Sequence, residues 1–365
     1  MRRGWHSANF APMTYTVPSN RLGAIQNVLQ ALEDARSVVL TTHINADGDG
    51  AGSEVALAAF LRERGTEAWL VNPTPYPRMY RFLLPDDGWV LPVAEEEAAR
   101  RCAKADLAVV LDTGEYQRIG RVKPFLDQLP TVVIDHHPPG PDPIEGVSFR
   151  DSAACATGEL VFDLIHEAGG PWTPEGVVGL YVAILTDTGS FRHSNTTARC
   201  HRIVAELIRK GVDPEEVHRQ VYGALPLRRF QLLKASLEEL EVDTSGQVAW
   251  MTVPHDAYRM LGAGPDDLEG LVDYPRAVDG VEVALLFRRI QGGDTKVSFR
   301  SNGSVDVNAL ARLFGGGGHV RASGALVKGP VDRVKDVVID ATRKAVHEAA
   351  AEENGTVVEE PSSTE

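Results

Sequence analysis

Short, unbroken apolar runs recur through the first half of the chain: Val38–Thr42 (VVLTT), Ala68–Asn72 (AWLVN), Leu107–Asp112 (LAVVLD) and Thr131–Asp135 (TVVID). They are continuous rather than alternating, the pattern of strands buried on both faces of a parallel sheet. Gly52–Glu63, Thr157–His166 and Thr197–Lys210 carry apolar positions at helical spacing. Strands alternating with helices predict βαβ units, so residues 21–210 read as an α/β domain with a parallel sheet.

The pattern then changes. Residues 211–241 are mostly helical, broken at Gly223–Pro226, and read as a connector. Strand-like runs return as VAWMTV, VEVALLFRRI and TKVSFR. A helical pattern at Val305–Phe314, a glycine run, a strand at Ala325–Val327 and a helix near Val331–Ala350 complete a smaller α/β domain over residues 242–350. Residues 1–20 read as a loose N-terminal tail and residues 351–365 as a disordered acidic tail.

Length and charge fit this division. At ~150 residues per domain, 365 residues suggest two domains. Lys and Arg total 37 against 51 Asp and Glu, a net charge of −14. That balance disfavours a protein that coats long duplex nucleic acid, which needs clustered cations. A small phosphorylated substrate and bound cations remain compatible with it. The longest apolar run, Val177–Leu185, is half the ~18 residues needed to span a bilayer, so no membrane is expected. The N-terminus MRRGWHSANF lacks the apolar stretch of a signal peptide. Three cysteines without a C-x-x-C pair suggest reduced thiols and a cytoplasmic setting.

Candidate chemistry collects where the apolar runs end. Thr41–Ser53 (THINADGDGAGS) brings His43, Asp47 and Asp49 within seven residues. Asp112 closes LAVVL, and Asp135, His136 and His137 close TVVI. Asp187 follows Val177–Leu185, with Arg192 and His193 a few residues on. Singly, each is compatible with a turn, a helix cap or a solvated acid, and the DGDG loop lacks the calcium register of an EF-hand. Together, four apolar segments each deliver an acid at the carboxyl end, and two of these groups include histidine. Such carboxylates in one crevice would repel one another. Two divalent cations would balance the four charges of Asp47, Asp49, Asp112 and Asp187. Mixed imidazole and carboxylate ligation suits Mn²⁺, with Fe, Co or Zn as alternatives, better than Mg²⁺. Two such ions ~3.5–4 Å apart form a recognised phosphoester-hydrolysing device.

In this order and spacing, His43-Ile-Asn-Ala-Asp47-Gly-Asp49, Asp112, Asp135-His136-His137 and Asp187 resemble the DHH phosphoesterase superfamily. Phe299-Arg300-Ser301, Val305-Asp306-Val307-Asn308 and Phe314-Gly-Gly-Gly-Gly-His319 resemble its associated substrate-binding domain, whose glycine loop offers closely spaced N–H groups for phosphate. The resemblance spans about residues 22–347. Ala46 stands where the family often has Pro, which removes no ligand.

The resemblance implies that His43, Asp47 and Asp112 hold one ion, and that Asp49, Asp112, His136 and Asp187 hold the other, with Asp112 bridging. It implies that His137 contacts the phosphate or leaving oxygen and that Asp135 orients an imidazole. Arg300, Ser301, Gly315, Gly316, Gly317, Gly318 and His319 would bind the terminal nucleotide. Arg192 is a further candidate, with a solvated loop position as the competing reading. The subfamily most resembled is the NrnA type, which degrades short single-stranded RNA (nanoRNA, dinucleotides) and 3′-phosphoadenosine 5′-phosphate (pAp), and a homodimer is expected. A cyclic di-AMP or pApA phosphodiesterase, a RecJ-like single-stranded DNA exonuclease and a non-catalytic nucleotide sensor are the alternatives.

Overall fold

The computed structural model describes residues 15–127, 129–223, 225–290 and 292–355. They divide at residues 224 and 225 into two compact units.

In the first unit the four predicted strands form and a fifth joins them: β1 (Ser37–Thr41), β2 (Glu67–Leu70), β3 (Leu107–Leu111), β4 (Thr131–Asp135) and β5 (Val147–Arg150). Their order is β2-β1-β3-β4-β5 and every neighbouring pair is parallel. Both faces are covered, which explains the continuous apolar runs. Val38, Leu40, Val109 and Leu111 enter one core, while Val39, Ala108 and Val110 enter a second on the opposite face.

The main helices of this unit are α1 (Ser19–Glu33), α2 (Gly48–Glu63), α3 (Thr157–Glu167), α4 (Pro174–Asp187), α5 (Ala198–Arg209) and α6 (Pro214–Tyr222). Helix α2 is buried from Gly48 to Leu61. It crosses α4 where glycine faces glycine: a Cβ on Gly52 would stand 2.2 Å from Gly179 O, and one on Gly179 would stand 2.6 Å from Gly52 O. The apolar run Val177–Leu185 thus belongs to a helix, opened by the Thr173 hydroxyl, which accepts from Gly176 N at 3.1 Å, and by Pro174 in the first turn.

The N-terminal region departs from the predicted tail as far as it is described. Tyr15 and Val17 are buried, and α1 starts at Ser19. Tyr15 donates to Asp163, and the buried Arg21 meets Asp151, Glu159 and Asp163 at 2.7 Å each. A guanidinium out of water needs such partners, and they pin α1 onto α3. Residues 1–14 and 356–365, most of the two predicted tails, lie outside the described residues.

The predicted connector is divided. Val217 and Val221 of α6 enter the first unit's core, whereas Leu232 of α7 (Leu227–Leu237) enters a core of the second. The second unit holds β6 (Leu240–Val242), β7 (Val248–Val253), β8 (Val283–Arg289), β9 (Thr295–Ser301), β10 (Gly317–His319) and β11 (Ala322–Val327) in the order β10-β11-β9-β8-β7-β6. Only β7 and β8 pair in parallel. Helices α8 (Val307–Arg312) and α9 (Val331–Gly355) pack on one face of this mixed sheet.

Candidate metal centre

The strand order sets the position of the centre. The chain moves from β1 outward to β2, then returns to β3 on β1's other side, so the carboxyl ends of β1 and β3 flank a switch point where α/β sheets hold ligands. His43 follows β1 and Asp112 follows β3, and they meet with His43 Nε2 3.3 Å from Asp112 Oδ2. Asp112 adopts a positive φ of 59°, a conformation that Asp tolerates better than most residues and that is common at functional sites.

Asp47 caps α2, its Oδ1 accepting from Asp49 N and Gly50 N at 3.1 Å each. A Cβ on Gly48 or Gly50 would strike the Thr186 or Thr42 hydroxyl at 2.4 and 2.5 Å. These glycines let the turn lie against its neighbours. Asp187 reaches the same place from the last residue of α4, a helix end rather than a strand end.

The acids and imidazoles converge. Ligand atoms from His43, Asp47 and Asp112 lie within 4.8 Å of one another, as do those from Asp49, Asp112 and His136. His136 Nε2 is 3.6 Å from Asp49 Oδ2, 3.6 Å from Asp112 Oδ1 and 3.7 Å from Asp187 Oδ2. Asp112 is common to both groups. His137 Nδ1 lies 2.8 Å from Asp135 Oδ1.

Electrostatics record the strain of this concentration. Burial, with Asp112, Asp187 and Asp47 close by, pushes Asp49 well above the ordinary carboxylate range. Burial likewise raises Asp187 to about 7. Burial opposes charge on His43, but Asp112 and Asp47 outweigh it and raise the imidazole to about 10.

The donor set fits divalent ions. His43 Nδ1 and His136 Nδ1 lie 3.0 and 3.3 Å from the carbonyl oxygens of Ile44 and Ala154. A carbonyl can only accept, so each Nδ1 carries the proton and each Nε2 faces the carboxylates. This is the arrangement of metal-ligating histidines. Among the described residues the buried His43 Nε2 has no hydrogen-bond partner, though Asp112 Oδ2 lies 3.3 Å away.

One feature was not legible in the sequence. The five residues Ala154–Gly158 touch His136, Asp49 and Asp112 of the Asp49/Asp112/His136/Asp187 cluster directly and reach Asp187 through Asn195. Ala154 O bonds His136, Thr157 N and Gly158 N donate to Asp49 at 2.6 and 2.9 Å, and Thr157 Oγ1 donates to Asp112 Oδ1 at 3.0 Å. Cys155 O accepts from Asn195 Nδ2 at 2.8 Å, which also donates to Asp187 Oδ2 at 3.2 Å. The available signal was Ala156, which precedes a helix yet has no side chain to cap it. Asp49 supplies that cap from a distant part of the chain.

The remaining candidates distribute unevenly. Arg192 is exposed and turns back to Gly189 O at 2.7 Å. In the second unit, Arg300 and Ser301 are adjacent on β9, so they point to opposite faces. Ser301 is 3% exposed and its hydroxyl accepts from Gly303 N at 3.3 Å. The reading of the glycine run is corrected. Gly315 N and Gly316 N are engaged by Arg312 O and Ala311 O, closing α8, so they are not open to a phosphate. A Cβ on Gly316 or Gly318 would strike β11 backbone at 2.2 and 2.6 Å, so these glycines permit close packing. Gly317, Gly318 and His319 form β10.

A parallel sheet whose carboxyl edge gathers two imidazole–carboxylate groups around a shared aspartate defines a class of α/β proteins whose site can hold metal. Residues 37–184 match the DHH family N-terminal domain and residues 251–350 match the DHHA1 domain, and the chain belongs to the DHH family. It is 33% identical over 336 residues to the bifunctional oligoribonuclease and PAP phosphatase NrnA of Thermus thermophilus, covering 90% of this chain and 95% of that one. It is 26% identical over 327 residues to the protein of the same name from Mycoplasma pneumoniae, covering 87% and 96%. Among solved structures, an exopolyphosphatase-related protein from Bacteroides fragilis superposes with a TM-score of 0.81 at 25% identity, covering 90% of this chain and 96% of that one.

Proposed function

We propose that this chain hydrolyses short oligoribonucleotides and pAp with two divalent ions, Mn²⁺ by preference. The observation that carries this reading is the pair of ligand groups sharing Asp112. The names of the NrnA relatives support the substrates. His43, Asp47 and Asp112 would hold one ion, and Asp49, Asp112, His136 and Asp187 the other. When bound, such ions neutralise phosphoryl oxygens and make water acidic enough to serve as nucleophile near neutral pH. The protein's own part is to fix the ligands. Carbonyls hold the two Nδ1 protons, Thr157 orients Asp112, and α3 amides hold Asp49. His137, steadied by Asp135, would contact the phosphate or the leaving oxygen. Arg300 and His319 would grip the nucleotide.

Among the described residues no helix is long and apolar enough to cross a membrane. Cys102, Cys155 and Cys200 are buried free thiols, which supports a cytoplasmic setting. A homodimer is proposed on family resemblance, and light scattering returning the 39.6 kDa of one chain would reject it.

The test is a substrate panel with Mn²⁺: pAp, di- to pentanucleotide RNA, pApA, cyclic di-AMP and single-stranded DNA. Turnover of short RNA and pAp above the others supports the reading. Preference for pApA, cyclic di-AMP or DNA replaces it with one of those activities, and tight binding without turnover makes the chain a sensor. Asp49→Ala should fail on every substrate. Arg300→Ala should lose about 10- to 150-fold in kcat/KM on dinucleotides, the range of one charge-assisted contact.

A further inference from the structure

The second unit's sheet is covered unequally. On one face Val297 and Phe299 of β9 are fully buried in the core beneath α8 and α9. On the other, the apolar cluster takes in Ala284 and Leu286 of β8 but, among the described residues, nothing from β9, β10 or β11. Directly paired residues of antiparallel strands share a face, so the register identifies what lies there. His319 pairs with Ala322, and Ala322 with Arg300, forming one row. Gly317, Gly324 and Ser298 form the next. Leu326, Lys296 and Arg288 form the last.

This is a floor of small side chains with a basic pole at each end. Gly324 leaves room for Lys296, whose Nζ lies 3.4 Å from where a Cβ would stand. Arg288 leans on Tyr258, its Nη1 donating to the phenol oxygen at 3.4 Å. Among the described residues no carboxylate forms an ion pair with Arg288 or Lys296, whereas Arg300 is attracted by Asp273 and Glu269, of which Asp273 is engaged in turn by Arg276 at 3.2 Å. Arg288 and Lys296 are therefore two neighbouring cations, directly paired across β8 and β9, on the face where the apolar cluster takes nothing from β9. Arg300 and Lys296 are four residues apart on β9, about 13 Å at ~3.3 Å per residue. That reach exceeds one nucleotide.

We infer that Lys296 and Arg288 bind backbone phosphate of an oligoribonucleotide beyond the nucleotide held near Arg300 and His319, making this face a track that favours oligomers over pAp. The inference rests on the proposed activity only for its substrate, single-stranded RNA. The track runs over Ser298 and Gly324, and the Lys296 stem lies across Gly324, so the ammonium is presented on the track itself. It reads charge rather than sequence, because its groups are positioning cations with no base-reading array.

The test measures binding and turnover separately. Anisotropy of a labelled 5′-phosphorylated pentaribonucleotide is followed against salt for wild type, Lys296→Ala and Arg288→Ala. Removing one phosphate contact should weaken binding about tenfold and flatten the log–log salt slope by ~0.7. Lys296→Arg should retain both. In turnover, the ratio of kcat/KM on the pentanucleotide to that on pAp should fall about tenfold, through KM. Unchanged affinity and slope in Lys296→Ala would overturn the inference, as would equal losses on pentanucleotide and pAp. Arg288→Ala could disturb Tyr258, so the exposed Lys296 decides. A wild type that binds the pentanucleotide with a lysine-dependent slope but hydrolyses nothing would sink the proposed activity and leave the track standing.

Discussion

Thr157 Oγ1 donates a 3.0 Å hydrogen bond to Asp112 Oδ1, the carboxylate common to both ligand groups. The bond fixes which way that carboxylate presents its oxygens, and groups that orient metal ligands are typically worth 10- to 100-fold in affinity or activity. Thr157→Val, which keeps the shape and removes the donor, should weaken Mn²⁺ binding by about that factor. Thr157→Ser should restore it. Calorimetric titration of Mn²⁺ checks both, and an unchanged affinity in the valine variant would show that Asp112 needs no such support.

Chelation should abolish turnover, with Mn²⁺ restoring it better than Mg²⁺. Metal-free protein should also lose stability as pH rises from 5 to 8. Asp187 is raised from 3.8 to about 7 and Asp49 is raised too, so their contribution is greatest at low pH and declines as pH climbs through their folded values. Burial resists the His43 charge but Asp112 and Asp47 raise it from 6.5 to about 10, so its contribution is full below pH 6.5 and also declines as pH rises above that. Asp47 and Asp112 are lowered and remain ionised throughout this window. Melting temperatures with EDTA should therefore fall across the range, and those with Mn²⁺ should stay nearly flat.

Glu54 offers a separate pH test. It lies fully buried on α2, and burial raises it from 4.5 to about 8 despite Asn72 Nδ2 donating to it at 2.8 Å. Its contribution is largest below pH 4.5 and is lost as pH rises through 8. Glu54→Gln keeps an acceptor for Asn72 and removes the titration. The variant should gain melting temperature over wild type at pH 8 and little at pH 5. Parallel melting curves at both values would contradict the assignment.

Gly52→Ala probes the helix crossing. The added methyl would stand 2.2 Å from Gly179 O, a backbone atom that cannot swing aside. Overpacking of this kind costs ~1–3 kcal/mol. Since α2 carries Asp49 and α4 carries Asp187, forcing the helices apart should also weaken metal binding. Thermal melts and Mn²⁺ titration together check this, and a stable variant with normal affinity would show that the crossing has slack.

Much of this was legible along the chain. Val38–Thr42, Leu107–Asp112 and Thr131–Asp135 announced buried parallel strands because a strand covered on both faces must be apolar at every position. The acids at their ends stood out because carboxylates have no other reason to terminate such runs together. What period and composition could not supply was decided by pairing between distant segments. That α4 is a helix delivering Asp187, that Asp49 caps α3 from more than a hundred residues away, and that Tyr15 and Arg21 are buried all depend on which surfaces meet. The glycine run at Gly315–Gly318 makes the same point. Sequence shows four freely rotating residues, but only the fold reveals that two amides close a helix and two missing side chains admit a neighbouring strand. Local chemistry is written in the order of residues, whereas the partners that satisfy a buried charge or amide are chosen by packing.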